Sequence, residues 1–349
     1  MVTLGVDAHK RTHTAVAVDE AGRRLAERTV TATGAGHLEL VRWAARFEER
    51  RWALEDCRHL SRRLEGDLLR AGERVVRVPP KLMAGARRSA REPGKSDPID
   101  TTAAARAALR EPDLPTAVLD GPERELRLLV DHREDLVAER TRAINRLRWH
   151  LHELSPGDEP APRSLDRLHV IAALEQRLAK APGPVARLAR ELVARIGELT
   201  VTIRGLAREI AALTERLSPS LLDLSGCGAL SAAKVVGETA GVVRFRSRAA
   251  FARHNGTAPV PVWSANAIRH RLSRGGNRQL NCAIHRIAIT QLQRPGPAQD
   301  YLAKRLAAGD TRTEAIRALR RSISDEVWRR LRTDELSRTR QPAGLVAAA

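Results

Sequence analysis

Along the first 110 residues the spacing of apolar positions changes several times. Thr3–Asp7 reads as a strand, and His13–Asp19 as a second with near-strict alternation. Arg24–Ala32 reads as a third, with Gly22 in the turn before it, so antiparallel hairpins are predicted. The period then lengthens. Leu40, Ala44 and Phe47 fall at i, i+4 and i+7, which predicts a helix over His37–Glu49. Arg51–Asp56 is a short strand, Leu60–Ala71 a helix ended by Gly72, and Arg74–Val78 a strand stopped by Pro79 and Pro80. A polar stretch to Ser96 leads into an Ala-rich helix over Pro98–Leu109. Three strands followed by alternating helices and strands imply an α/β unit, a mixed sheet covered by helices.

Beyond that point the pattern is helical. Residues 111–118 contain Pro112 and Pro115 and read as a linker. From Glu123 to about Leu154 the apolar positions are Leu126, Leu129, Val130, Leu136, Val137, Ile144, Leu147 and Leu151. Pro156, Pro160 and Pro162 break the pattern; it resumes over Leu165–Lys180, breaks at Pro182 and Pro184, and runs from Val185 to about Leu217. Long helices with charged outer faces imply a helical hairpin or coiled coil. A solvated spacer and a dimerisation arm both fit that pattern. From Leu221 a compact, mainly α unit is expected. Leu224–Ala233 has the form of a helix–hairpin–helix, whose glycine turn would admit a phosphate; a plain helix–turn–helix pair fits as well. Thr333–Ala349 lacks periodicity and is expected to be disordered.

Charge narrows the partners. The chain has 349 residues, with 61 Lys+Arg against 42 Asp+Glu and a net charge of +19. Six of the bases are lysines and 55 are arginines. Such an excess selects polyanions, nucleic acid first and an anionic membrane surface second. Apolar residues make up 42%, enough for real cores. No apolar run approaches the roughly 18 residues of a membrane span, and the N-terminus opens on a strand-like run without a signal-peptide pattern. Cys57, Cys227 and Cys282 are widely spaced, with neither disulfide framework nor metal-ligand spacing. A cytoplasmic, nucleoid-associated protein is expected.

The charge is unevenly placed. Gly241 to Gln299 contains no acid but ten arginines, Arg244, Arg246, Arg248, Arg253, Arg269, Arg271, Arg274, Arg278, Arg286 and Arg294. Surfaces normally mix signs to limit self-repulsion, so this stretch is a candidate face for phosphates, unless acids elsewhere in the fold balance it. With aromatics at 3%, backbone contact should outweigh base stacking.

Four acids stand apart from the basic background. Asp7 follows Leu4-Gly5-Val6 in the first strand, and Glu55 ends the fourth. Asp97 and Asp100 flank Pro98 at a helix start and share one helix face. Together they could hold two Mg²⁺ ions, hard cations suited to oxygen ligands, for phosphodiester chemistry. Taken singly, Asp97 also fits an N-cap with Pro98 at the first helical position. Asp56 competes with Glu55, since strand alternation sends the two to opposite faces.

These residues resemble a family. The strand and helix order is similar to the ribonuclease H fold. Gly5-Val6-Asp7-Ala8-His9-Lys10, Glu55-Asp56-Cys57 and Lys95-Ser96-Asp97-Pro98-Ile99-Asp100 resemble the DEDD transposases of the insertion sequence 110 group. So do Gly226-Cys227-Gly228, Phe245, Gly256-Thr257-Ala258-Pro259 and Arg274-Gly275-Gly276-Asn277. The resemblance spans roughly residues 1–335. It implies a Holliday-junction-resolvase-like catalytic domain over 1–115, with Asp7, Glu55, Asp97 and Asp100 as the metal-binding tetrad. It implies a helical, dimerising linker over 116–218 and a C-terminal transposase domain over 219–335, followed by a tail over 336–349. It implies a nucleophilic serine, Ser264 in Trp263-Ser264-Ala265-Asn266, with Ser247 and Ser273 as fallbacks. Donor and target DNA, a structured non-coding guide RNA and a homo-oligomer follow as partners. Nucleic acid would meet Arg244, Arg246, Arg248, Arg269, Arg271, Arg274, Asn277 and Arg278. Two positions depart from the pattern, Ala265 where the family has Gly and Asn281 where it has Arg. A loop serine bonded to its own backbone is the plain alternative for Ser264. A metal-dependent junction endonuclease without a serine intermediate, or a non-catalytic nucleic-acid-binding protein, are the rival functions.

Overall fold

The computed structural model describes residues 1–88, 97–111, 114, 116–264, 267–271, 273 and 275–340. The N-terminal part runs β1 (Val2–Ala8), β2 (Thr12–Val18), β3 (Arg24–Thr31), α1 (Gly34–Ala44), β4 (Arg50–Glu55), α2 (Arg58–Arg70), β5 (Val75–Val78), α3 (Pro80–Arg88) and α4 (Asp97–Arg110). The sheet has the order β3-β2-β1-β4-β5. β1 is antiparallel to β2 and parallel to β4, so the expected mixed sheet is present. Being central, β1 is covered on both faces, and every residue from Thr3 to Ala8 is buried. Leu4, Val6, Ala15, Ala17, Trp52 and Leu54 pack under Leu40 and Ala44 of α1 and Leu64 and Leu68 of α2. The opposite face meets α3 and α4, whose alanines close over Ala53, Val76 and Val78.

Sequence periodicity missed α3. Its apolar run, Leu82, Met83, Ala84 and Ala86, is short and flanked by polar residues, and becomes informative once Met83 and Ala86 bury against the alanines of α4, with Leu82 packed beside them. The linker is also less free than its prolines imply. Thr116 bridges Val76, and the Ala117 amide donates to the Val75 carbonyl at 2.8 Å.

Two long helices follow, α5 (Pro122–Leu154) and α7 (Gly183–Leu217), with α6 (Leu168–Leu178) between them. At one end, Leu147, Leu151, Ile171, Leu174, Leu178, Val193 and Ile196 form a core of their own. At the other, Leu126 and Val130 of α5 and Ile210, Leu213 and Leu217 of α7 enter the C-terminal core. That core is built on α8 (Pro219–Leu222), α9 (Ala229–Thr239), α10 (Arg248–His254), a hairpin of β6 (Val260–Ser264) and β7 (Ala267–Arg271), α11 (Arg278–Leu292), α12 (Pro297–Ala307) and α13 (Arg312–Arg340). Lys234 of the buried α9 donates to Asp131 at 3.1 Å and Glu134 at 2.8 Å on α5, so its charge is matched across the helix pair. No helix among the described residues is long and apolar enough to cross a membrane.

Three features depart from the expected pattern. The glycine turn at 226–228 follows a helix of only four residues. A Cβ on Gly226 would stand 3.0 Å from the Ile287 carbonyl, so this turn is shaped by packing on α11. The β6–β7 hairpin is a strand pair inside a mainly α unit. Finally, α13 continues to Arg340, through residues expected to be disordered. Tertiary contacts hold it: Asp334 accepts from Ser218 and Ser220 at 2.7 Å each, Glu335 from the Val242 amide at 2.6 Å, and Arg338 pairs with Glu123 at 2.7 Å. Residues 341–349, the rest of the expected tail, lie outside the described residues.

Candidate active site and nucleic-acid face

The position of the acids begins with Gly5. A Cβ there would lie 2.1 Å from the Thr101 carbonyl and 2.9 Å from the Ala105 nitrogen, so α4 rests directly on β1 backbone. Strand alternation puts Thr3 and Asp7 on that same face. On β4 the matching positions are Arg51, Ala53 and Glu55, because Gly5 pairs with Ala53. Arg51 donates to Thr3 Oγ1 at 3.1 Å and to the Ala108 carbonyl at 2.9 Å. The C-terminal end of α4 is thereby fixed over the start of β1. Its N-terminal turn must then lie over the end of β1, where Asp7 and Glu55 stand one position past the last registered pair, Val6 with Leu54.

Asp7, Glu55 and Asp100 therefore share one end of the sheet. Asp7 and Asp100 are buried, and Glu55 is half-buried. Asp97 is the first residue of α4, at the same end, but its side chain lies outside the described residues. Among the described residues the acids do not by themselves form a metal cluster of three ligands. The pleat separates Glu55 from Asp56: Glu55 is on the α4 face, and Asp56 lies toward Arg77, whose pKa it helps to raise. Two neighbours carry no signal in sequence spacing. His9 Nε2 lies 3.2 Å from Asp7 Oδ2. The Cys57 thiol is pushed up to about 11 by burial and then by Glu55 and Asp7, which keeps it protonated and places it beside both carboxylates.

In the C-terminal part, Ser264 ends β6, opposite Ala267, and its side chain lies outside the described residues. Ser247 caps α10, accepting from the Ala250 amide at 3.2 Å. Ser273 is half-buried in the loop after β7. Asn277 caps α11, accepting from the Leu280 amide at 2.9 Å, and donates to Glu238 at 2.5 Å. Arg246, Arg248, Arg271 and Arg278 are exposed. Arg244 is half-buried; it donates to the Thr239 carbonyl at 2.8 Å and lies over the Phe245 ring. The Arg269 side chain and Arg274 lie outside the described residues. The loops before β6 and after β7 are tied together: the Asn277 amide donates to the His254 carbonyl at 2.6 Å, and Asn281 to the Asn255 carbonyl at 2.7 Å.

Residues 4–156 match a family described as transposase, and residues 218–303 match the transposase IS116/IS110/IS902 family. An uncharacterized 44.8 kDa protein of insertion element IS116 from Streptomyces clavuligerus is 31% identical over 384 residues, covering 96% of each chain. An uncharacterized 42 kDa protein of insertion element IS900 from Mycobacterium paratuberculosis is 28% identical over 403 residues, covering 100% of this chain and 99% of its own. A solved structure of T. thermophilus RuvC in complex with Holliday junction substrate overlays 32% of this chain and 94% of its own, at 18% identity and a TM-score of 0.26. With both parts of the chain matched and a relative aligned over nearly its whole length, this protein belongs to the IS116/IS110/IS902 family of insertion-element transposases, enzymes that cut and rejoin DNA.

Proposed function

We propose that this transposase moves its insertion element with Mg²⁺ held by Asp7, Glu55, Asp97 and Asp100 and with Ser264 as nucleophile, directed by a structured non-coding RNA. The observation that carries the reading is the meeting of Asp7, Glu55 and the start of α4 at one end of the sheet. The donor set fits the ion: carboxylate oxygens are the hard ligands Mg²⁺ prefers. When bound, the metal would polarise the scissile phosphate and stabilise a leaving oxygen. His9 would hold the Asp7 carboxylate in place.

The serine supplies the covalent step. Its Oγ bonds to phosphorus as the hydroxyl proton leaves, the phosphorus–oxygen bond to one strand breaks, and the departing oxygen takes up a proton, so no net proton is gained or lost. The phosphodiester energy is kept in the phosphoserine link, so the reverse attack rejoins strands. Exposed Arg246, Arg248, Arg271 and Arg278 would carry the DNA backbone. The domain division at about residues 115 and 218 fits a homo-oligomer in which Ser264 of one copy meets the carboxylates of another. A net charge of +19 is ample for donor DNA, target DNA and RNA together.

Incubation of the purified protein with joined element ends, followed by denaturing electrophoresis, tests the chemistry. Wild type should give a protein–DNA adduct that survives detergent, and Ser264→Ala should give neither adduct nor joined product. A Ser264→Ala protein that still cuts strands but leaves the ends unjoined would instead identify a metal-dependent junction endonuclease. Asp7→Asn should lose cleavage and keep DNA binding. Nuclease removal of copurifying RNA should abolish site-specific joining; unchanged joining would refute RNA guidance.

A further inference from the structure

The C-terminal unit holds a cleft of about 570 Å³ between the loop at 256–259, the base of β7, α12 and the start of α13. Five arginines line it. Arg305 is matched by Asp310 and Arg321 by Asp325. Arg271, Arg317 and Arg320 have no carboxylate partner among the described residues. Among the described residues Arg317 reaches only the carbonyls of His270 and Thr313, at 3.4 and 3.3 Å. Arg320 donates to Asn281, while its buried Nε has no partner. Glu314, the other acid of the lining, caps its own helix by accepting from the Thr311 amide at 3.0 Å.

Three uncompensated guanidinium groups in a half-enclosed space repel one another and favour an anion between them. Burial pulls the Arg320 pKa down, with Cys282 opposing the shift and the neighbouring charge of Arg317 adding to it. The space exceeds what a single inorganic anion needs. Tyr301, the chain's one tyrosine, adds a half-buried ring to the lining. Arg271 pairs with Val260, at the opposite end of the hairpin from Ser264. At about 3.3 Å per residue the two ends of the hairpin stand roughly 13 Å apart, so the cleft and Ser264 lie at opposite ends of it.

We propose that this cleft grips one nucleic-acid strand, with a phosphodiester between Arg271, Arg317 and Arg320 and the attached nucleoside against Tyr301. The proposal rests on the DNA-rejoining reading above and adds a second, non-reacting contact to it. Arg317 and Arg320 stand outside the acid-free stretch, so the linear charge pattern does not single them out.

The test uses the full chain and fluorescence anisotropy with labelled single-stranded DNA, duplex DNA and single-stranded RNA of one sequence. Arg317→Gln and Arg320→Gln should each bind one or more probes roughly tenfold more weakly, as expected for a lost charge-assisted hydrogen bond. The slope of log affinity against log salt should shrink by about 0.7 for a single strand or about 0.9 for a duplex. The probe that weakens identifies the strand. Tyr301→Ala should weaken the same probe roughly fivefold or more, and Tyr301→Phe should restore it. Arg187→Gln, an equal charge change at an exposed position of α7, should do nothing. Cleft variants that bind all three probes within about twofold of wild type, with unaltered salt slopes, would overturn the proposal. So would an equal loss in Arg187→Gln. Normal cleft-variant binding beside DNA cleavage by wild type removes only the cleft; loss of cleavage tested through Asp7→Asn concerns the function itself. Thermal melting checks that Arg317→Gln, which gives up two long hydrogen bonds, stays folded.

Discussion

Gly5→Ala should separate the sheet from the helix that carries half the candidate site. The added Cβ would meet the Thr101 carbonyl at 2.1 Å, against the 3.4–4 Å of ordinary contact. The obstacle is backbone on both sides, so α4 must retreat by more than about 1 Å. Overpacking of this kind costs about 1–3 kcal/mol or more, which outweighs the several tenths gained by removing glycine from the unfolded chain. The same displacement moves the turn bearing Asp97 and Asp100 away from Asp7 and Glu55, and a misplacement of about 1 Å can cost roughly 100-fold in rate. Guanidinium denaturation followed by circular dichroism reads the first effect, and cleavage of DNA carrying joined element ends reads the second. Gly205→Ala is the matched control: it sits within α7 with open space around it, and should stabilise by about 0.5–1 kcal/mol without changing cleavage. Gly5→Ala that unfolds with wild type and cleaves at the wild-type rate would refute the account of α4 as the element that positions the acids.

Other perturbations follow from single observations. His13 is buried and stacked on His37, and its pKa is pulled down to about 4, first by burial and then by His37. The unfolded chain takes up this proton near pH 6.5, so stability is full above about 6.5 and falls by up to about 3 kcal/mol as pH drops toward 4. His13→Gln should flatten that acid dependence in denaturation midpoints; a variant as acid-sensitive as wild type would contradict the assignment. Glu65 and Arg77 form a buried ion pair with hydrogen bonds of 2.7 and 2.6 Å, so Glu65→Gln should cost about 3–5 kcal/mol by stranding the guanidinium. Thermal melting within a degree or two of wild type would exclude that role. Ser247→Ala removes the α10 cap and should cost about 1 kcal/mol while strand joining persists, whereas Ser264→Ala should abolish joining.

The transposase chemistry places a constraint on how such a basic chain folds. Buried acids must be either matched or used. Glu65 is matched by Arg77, Glu73 by Arg50 and the Trp52 indole, and Asp334 by two serine hydroxyls. Asp7 has His9 beside it at the end of β1, and Glu55 and the first turn of α4 stand at the same end of the sheet. Gathered carboxylates raise one another's proton affinity unless a cation joins them. That is the electrostatic reason for proposing a metal at this end of the sheet.

Local pattern was enough for the mixed sheet, the long helices and the acid-free stretch, because period, turn glycines and charge are properties of neighbouring residues. Asp7, Asp97 and Asp100 could be singled out for the same reason. Glu55 could not be separated from Asp56, since alternation offers two faces and only the seating of α4 on Gly5 shows which acid shares the face of Asp7. Helix α3 and the β6–β7 hairpin were hidden because their apolar runs are short and broken by prolines or polar residues, and the last turns of α13 because few apolar residues mark them; their partners lie on other elements. The arginine cleft draws on β7, α12 and α13, whose residues are brought together only by packing around the C-terminal core. Sequence alone determined which residues were chemically unusual and which polyanion they suit. Tertiary structure decided which of them share a face, because proximity between distant segments depends on close backbone contact that no local pattern encodes.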